Sequence, residues 1–328
     1  MIGFVARHFV QAAVVLLAVA LIAFIMVRYV GDPVANLLGP EATAADRAEA
    51  RDRMGLDRPV VEQFVNFVRR AITGEFGISY RYSQNVVTLI LERLPATLEL
   101  AVTSVALAVI VGFPLGIYTA INPDTVPSRV VMTVGLVGAS LPTFLVGILL
   151  IHLFASHLRI LPTFGRGEVI EVGWWSTGFL TLSGVKSLVL PAITLALFYA
   201  TLIMRLVRVE MLDILQAEYI RFARARGIKS WSIYFRHALK NTLVPLTAVI
   251  GLQFGVLISF SIVTESVFQW PGVGLLFISA VQFADIPLIS SYLVLVAVIF
   301  VSVNMLADLI CSALDPRWRS RATRRNPA

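Results

Sequence analysis

Apolar stretches alternate with polar ones along the whole chain. A helix needs roughly 20 mostly apolar residues to cross about 30 Å of hydrocarbon. Six stretches meet or approach that length: 9–27, 97–121, 130–155, 188–207, 243–263 and 286–309. The fourth is the weakest, because Arg205 shortens its apolar core and Pro191 lies within it. Between the first two stretches comes a long polar region. Gly31-Asp32-Pro33 is a turn signal, and Thr43 followed three positions on by Asp46 predicts a capped helix that ends at Gly55. Pro59 suits the first turn of a second helix, in which Val60, Val61, Phe64, Phe67, Val68, Ala71 and Ile72 recur at helical spacing before Gly74. That face belongs on the bilayer surface or against protein; its weakly basic polar side favours protein. Gly74, Gly77 and Ser79 interrupt the pattern before the chain returns to the membrane.

A second polar run, Arg205 to Asn241, separates the fourth and fifth stretches and carries eight basic residues: Arg205, Arg208, Arg221, Arg224, Arg226, Lys229, Arg236 and Lys240. Glu218 to Arg226 has no Pro or Gly and consists mostly of good helix formers, and Gly227 then suits a left-handed helix end. Ser230 is placed to cap a further helix over 231–241. Two helices meeting at a glycine elbow between membrane spans form a knob that projects into water. Charge alone leaves open whether the run is a docking element or only fixes topology.

Composition confirms the setting. With 58% hydrophobic and 14% charged residues and a mean hydropathy of +0.83, the chain is too apolar for a soluble globule. An even number of spans puts both termini on one side. More than half of the 27 Lys and Arg fall at Arg7, at Arg129, in the 205–241 run and at Arg317, Arg319, Arg321, Arg324 and Arg325, so that side is the cytoplasm. Residues 28–93 balance their basic residues with as many acidic ones. The net charge of +7 is therefore accounted for by lipid and cytoplasmic partners, and it does not call for nucleic acid. Cys311 is the single cysteine and excludes a disulfide within the chain. The first stretch is longer than a signal-peptide core and no small-residue cleavage site follows it, so it is expected to remain as an anchor.

The spans are rich in small residues and prolines, among them Gly112, Pro114 and Gly116, then Gly135, Gly138 and Pro142, then Pro191, Pro245, Gly251 and Gly255. Small residues let helices approach closely in lipid and prolines kink them, which describes a bundle able to rearrange. Charge at membrane depth is sparse: Glu99, Arg205 and Asp308 lie near span ends. A carrier driven by ions usually places ionisable groups near the midplane within paired repeats, and neither is evident. A self-sufficient channel or ion-coupled carrier remains the competing class, and a membrane scaffold the third. There is no phosphate-binding Gly-x-x-x-x-Gly-Lys loop and no His-Glu-x-x-His. His8, His152, His157 and His237 are scattered, and no metal site is expected. Trp174 and Trp175 read as interfacial aromatics.

In order and spacing, these residues resemble the permease subunits of ABC importers, in the class that takes up di- and oligopeptides, opines and nickel complexes. The resemblance rests on Gly31-Asp32-Pro33, Gly55-Leu56-Asp57-Arg58-Pro59, Gly74-Glu75-Phe76-Gly77-Ile78-Ser79 and Arg93-Leu94-Pro95-Ala96-Thr97-Leu98-Glu99-Leu100. It continues through Leu141-Pro142-Thr143-Phe144, Leu161-Pro162-Thr163 and Leu190-Pro191-Ala192. It is strongest at Glu218-Tyr219-Ile220-Arg221 with Ala223-Arg224-Ala225-Arg226-Gly227, Arg236-His237-Ala238-Leu239-Lys240-Asn241, Glu265 and Pro271-Gly272-Val273-Gly274. Val30 departs from the usual Pro, and Arg221 stands in the Glu place of the general importer loop, a habit of the peptide and nickel class.

The resemblance implies an all-α integral membrane protein with six transmembrane helices in the type I ABC importer permease fold, with a periplasmic helical insertion after the first helix. Its parts are expected at 1–93, 94–312 and a basic tail, 313–328. It further implies a coupling helix formed by Glu218, Tyr219, Ile220, Arg221, Ala223, Arg224, Ala225 and Gly227, supported by Arg236, His237, Ala238, Leu239 and Asn241. In that helix Ala223 and Ala225 are expected to keep a slim surface, while Arg221 and Arg224, at i and i+3, share a face. Glu265, Pro271, Gly272 and Gly274 are expected at an outer gate or a binding-protein contact. The implied partners are a second homologous permease, two ABC ATPases, an extracytoplasmic solute-binding protein and the lipid bilayer of the bacterial inner membrane, with no nucleic acid. ATP and Mg would be bound by the ATPases, with no cofactor in this chain and no enzymatic activity of its own.

Overall fold

The computed structural model describes residues 2–29, 43–53 and 56–314. Val30, Gly31-Asp32-Pro33, Gly55 and the end of the basic tail lie outside the described residues. The first span is α1 (Ile2–Tyr29). Two amphipathic helices follow, α2 (Ala44–Arg53) and α3 (Val60–Thr73). At the start of α2 the Asp46 N–H donates to the Thr43 hydroxyl, and the Thr43 N–H donates back to the Asp46 carboxylate at 3.0 Å, which is the expected reciprocal cap. The Thr43 hydroxyl, more than its amide, holds the Asp46 carboxyl below its ordinary value. The contribution is therefore present above the unfolded carboxyl's pKa and fades as pH falls through the lower folded one.

Two helices dominate the bundle: α4 (Val86–Ile121), of 36 residues, and α7 (Leu182–Gln216), of 35. At 1.5 Å per residue each is about 50 Å long, well beyond the hydrocarbon thickness, so both project from the membrane. The fourth span, weakest by composition, is the most buried of the bundle. Arg205 does not interrupt it, because that side chain is exposed on the helix surface. The packing explains why: a Cβ on Gly112 would lie 2.5 Å from the Ala200 carbonyl oxygen, and one on Gly116 would lie 2.6 Å from the Val207 Cβ. Glycine lets α4 lie directly on the backbone of α7, the small-residue contact that lipid-embedded helices use. The main core forms along this seam from residues such as Leu100, Ala108, Leu195, Ile203, Val207 and Met211.

The third stretch departs from the expected straight span. It consists of α5 (Val126–Ser140) and α6 (Thr143–Leu150), bent by 104° to one another, and α6 runs on through a π-helical segment, Ile151–His157. Pro142 disfavours helical backbone at the residue before it, and Leu141 accordingly sits at φ −78°, ψ 136°. Elsewhere the long helices accommodate Pro95, Pro114, Pro191 and Pro245 without a break. A hairpin of β1 (Ile170–Val172) and β2 (Trp175–Thr177) follows, with Ile170 opposite Thr177. It is a small exception to an all-α fold, and it stacks Trp174 edge-on against Trp175.

The chain then forms the short α8 (Glu218–Ala225), the span α9 (Leu239–Val267), α10 (Val273–Gln282) and the last span α11 (Ile286–Leu314). Ser230 is not the cap, because it is the first helical residue and Lys229 stands at the N-cap position. Residues Ser230–Ser232 begin a helix that passes through a π-helical segment, Ile233–Ala238, straight into α9. Where α9 crosses α11, Gly251 fits against Ala307 and Gly255 against Phe300. At one end of the bundle His8 pairs with Asp308 at 2.9 Å, joining α1 to α11.

The glycine seam carries a measurable cost. In the purified transporter, Gly116→Leu is expected to lower stability by about 1–3 kcal/mol through overpacking. Gly138, whose added Cβ meets nothing within 4 Å, should tolerate Ala with little change. Thermal unfolding in detergent compares the two; equal melting temperatures would remove the seam from the account.

Candidate functional site

The knob begins where α7 stops. A single extended residue, Ala217, at φ −63° and ψ 146°, separates Gln216 from α8. The Ala217 N–H donates to the Ile214 carbonyl, and the Ala217 carbonyl accepts from the N–H groups of Ile220 and Arg221, so the backbone hydrogen bonding hardly lapses. Within α8 the period of 3.6 divides the residues cleanly. Ile220 is fully buried and joins the core that holds Met211, Leu215, Ile233 and Ala238. Ala223 is buried beside it. This corrects one expectation, since Ala223 is an anchor of the knob to the bundle and not part of a slim outer surface. Glu218, Tyr219, Arg221, Phe222, Arg224, Ala225 and Arg226 face outward.

The helix ends as its sequence predicts. The Gly227 N–H donates to the Arg224 carbonyl and the Ile228 N–H reaches back to the Ala223 carbonyl at 3.2 Å, the paired bonds of a Schellman end. Gly227 has φ +74° with open space around it, so its requirement is conformational and not one of room. From the following helix, the Asn241 side-chain N–H donates to the Tyr219 hydroxyl and to the His237 carbonyl, both at 3.0 Å, which fixes the elbow to the base of α9. Ala238 is buried, Leu239 and His237 are partly so, and Arg236 is exposed. Residue-by-residue reading missed the aromatic side chains on this surface. Phe222 is 65% exposed and Trp231 71%, the latter with its ring 3.9 Å from that of Phe235. The Arg226 guanidinium lies 5.8 Å from the Phe222 ring. Large aromatics on the solvent side of a short amphipathic helix were the available signal.

The far end of the bundle holds three buried polar centres. Glu265 is fully buried and accepts from the Thr97 hydroxyl at 2.7 Å, the Ser261 hydroxyl at 3.2 Å and the Leu275 N–H at 3.0 Å. Thr97 in turn accepts from the Val273 N–H, and the Trp270 indole donates to the Ala96 carbonyl. Gly272 and Gly274 are buried against Glu265, with no room for a Cβ. The residues expected at an outer gate, Glu265, Gly272 and Gly274, with Pro271 partly buried beside them, thus form an internal clasp between α4 and the turn joining α9 to α10. In this conformation Glu265, Gly272 and Gly274 are buried and Pro271 is partly exposed.

The second centre is an ion pair. Glu99 and Arg166 meet at 2.7 Å with side chains only 2% and 6% exposed, and Arg166 also donates to the hydroxyl and carbonyl of Ser176. The third is Asp285, which precedes α11. It accepts from the Ser79 hydroxyl, from the Arg81 N–H at 3.3 Å and from the Leu288 N–H at 3.4 Å. Burial first, and then the charge of Asp285, holds the neighbouring Tyr80 phenol above its ordinary value. The Arg81 guanidinium packs 3.4 Å from the Phe283 ring centre. Of these acids the sequence had marked Glu99 and Glu265; Arg166 and Asp285 carried no spacing signal. Among the described residues no cluster of three or more metal-ligating side chains occurs.

A long buried helix ending in an anchored solvent-facing elbow, within a bundle of apolar spans, is now defined. Residues 112–320 match the family model described as "Binding-protein-dependent transport system inner membrane component", and residues 1–101 match the model for its N-terminal part. The chain belongs to that family. It is an ABC importer permease, a multi-pass inner-membrane subunit that is not itself an enzyme and works with a separate ATPase and solute-binding protein. Over 320 residues it is 33% identical to the glutathione transport system permease protein GsiC of Escherichia coli K12, covering 97% of this chain and 99% of that one. It is 35% identical over 318 residues to the probable peptide ABC transporter permease protein y4tP of Sinorhizobium fredii, covering 96% and 99%. The fold is similar to that in an inward-facing structure of the MetNI methionine ABC transporter, with a TM-score of 0.55 at 17% identity, covering 69% of this chain and 96% of that one. Membership in this family displaces the reading as a self-sufficient channel or ion-coupled carrier.

The permease's buried ion pair gives a test. Arg166→Met alone strands the Glu99 carboxylate and is expected to destabilise by about 3–5 kcal/mol, whereas Glu99→Leu combined with Arg166→Met should restore much of that loss. Melting temperatures of these two variants and of Glu99→Leu alone, compared with the unaltered chain in detergent, measure the coupling. Additive effects would show that the pair does not act as a unit.

Proposed function

We propose that the elbow from Glu218 to Gly227 is the coupling helix of this permease, docking on a cytoplasmic ABC ATPase. One observation carries the reading: α8 is joined by one residue to α7, the most buried span, and is anchored in the core through Ile220 and Ala223. A push on the outward face therefore moves the most buried span of the bundle. Arg221 and Arg224 pair with acidic groups of the ATPase, while Tyr219 and Phe222 fill apolar hollows beside them. Ala225 lies on the same outward face, and Arg236, His237, Ala238, Leu239 and Asn241 hold the elbow's second arm. Two ATPases bind ATP and Mg, and this chain binds neither. A second, homologous permease supplies the other half of the pathway, and closure of the ATPases draws the two elbows together. Both termini lie in the cytoplasm, in line with the basic residues of the 205–241 run and the tail. In this reading the parts are 1–93, the core 94–312 and the tail 313–328. The clasp of Glu265, Pro271, Gly272 and Gly274 closes the external end of the pathway until the helices tilt.

The cargo proposed is a short peptide or a peptide-like solute such as glutathione, delivered by an external solute-binding protein. The support is that the relatives named for glutathione and for peptides match this chain from end to end.

Two measurements test the coupling. Gly227→Val forces a β-branched residue into positive φ, a strain of about 1–3 kcal/mol; it should leave the chain inserted and abolish uptake, while Gly227→Asn, which tolerates that conformation, retains uptake. Normal uptake by Gly227→Val counts against the elbow. Arg221→Glu with Arg224→Glu should weaken co-purification of the ATPase in detergent; unchanged recovery removes the electrostatic part of the docking.

A further inference from the structure

The apolar arc of α3 is wider than the contact it makes with the rest of the chain. Phe64 and Phe67 pack on Phe24 of α1, with ring centres 5.5 and 6.0 Å apart, and Gln63 accepts from Arg28 at 2.5 Å. These three residues define the side of α3 that faces α1. Next to it on one flank runs a second stripe, Val61, Val65, Val68 and Ile72, at intervals of four, three and four residues, which keeps it in line along the helix. Val61 is 74% exposed, Val65 58% and Ile72 81%. The opposite flank, with Asn66, Arg70 and Thr73, lines a cleft closed by Val27, Pro287 and Ser290, so it faces inward toward α11. The Val61–Ile72 stripe therefore points away from the bundle. The α1 residues not turned toward the bundle, Leu21, Ile22 and Ile25, are themselves exposed and apolar at the same end of the span. The stripe continues that lipid-facing surface around the end of α1.

We propose that α3 is an interfacial helix, with one half of its apolar arc seated on α1 and the other half, Val61, Val65 and Ile72, immersed in the bilayer leaflet on that side of the membrane. Glu62 and Arg69 mark the boundary at which the helix surface passes to water, and Arg58 pairs with Glu62 at 2.7 Å on that boundary. The occupant is lipid acyl chain. A helix of this kind lies in the plane of the interface with its apolar side a few ångströms into the membrane. Its position fixes the depth of α1 and sets the height at which the 74–85 segment meets α11. The inference needs only that the chain spans a bilayer; it stands or falls apart from the role of the elbow and from the identity of the solute.

The test uses the assembled transporter in lipid nanodiscs. Single spin labels are introduced at Val61→Cys, Val65→Cys and Ile72→Cys, with Glu62→Cys and Arg69→Cys as the opposing set, all in a Cys311→Ser background. The stripe positions should collide more with oxygen than with a water-soluble nickel chelate, and the opposing set should show the reverse ratio. A stripe as open to the nickel chelate as the opposing set overturns the proposal by placing it in water. Low accessibility to both probes overturns it by placing protein, not lipid, over the stripe. A measurement on the unaltered chain stands beside these: a phospholipid carrying a photoactivatable carbene precursor in its acyl chain should leave adducts on Val61, Val65 or Ile72. Adducts on α1 with none on α3 would be decisive against it.

Discussion

A membrane protein that is worked from outside needs a rigid connection between the place that is pushed and the helices that must move. In the coupling proposed for α8, that connection is the single residue Ala217 together with the burial of Ile220. A flexible linker would absorb the displacement. One extended residue, bracketed by backbone hydrogen bonds on both sides, has almost no freedom to do so. Ile220 completes the joint from within, because lifting α8 away from α7 exposes a fully buried side chain, at a cost of about 1.5–3 kcal/mol. The apolar anchor at Ile220 and the Asn241 bond to the Tyr219 hydroxyl both tie α8 to the helix that follows it.

The same stiffness extends up the bundle. Gly112 and Gly116 bring α4 against α7 at backbone distance, and the clasp of Thr97, Glu265 and Trp270 ties the far end of α4 to the turn after α9. Under the proposed coupling, a displacement of α7 carries α4 with it, and buried hydrogen bonds at the far end oppose it. Such bonds hold two discrete arrangements better than a continuum of them, since a partly broken buried network leaves polar atoms unpaired.

Much of this was legible from local pattern. The spans, the helix end at Gly227, the Thr43 cap and the face of α3 all depend on residues within a few turns of one another. Pro142 shows where pattern reading fell short: its effect on Leu141 was predictable, yet the surrounding apolar residues read as one continuous span. The buried polar centres were out of reach for a different reason. Arg166 meets Glu99 across 67 residues of sequence, and no periodicity encodes such a meeting. Ala223 was misjudged because small size suits both a slim exterior and a tight interior, and only the packing decides between them. Phe222 and Trp231 were passed over because aromatics in an apolar chain are expected to be inside.

Asp285 receives the Ser79 hydroxyl from 206 residues earlier in the chain. During synthesis the segment around Ser79 leaves the ribosome long before residue 285 exists. The segment around Ser79 and Arg81 therefore spends most of translation without this fastening, which forms only once residue 285 has been made. Quality control that inspects this region would in effect be reading whether the entire polypeptide has been threaded.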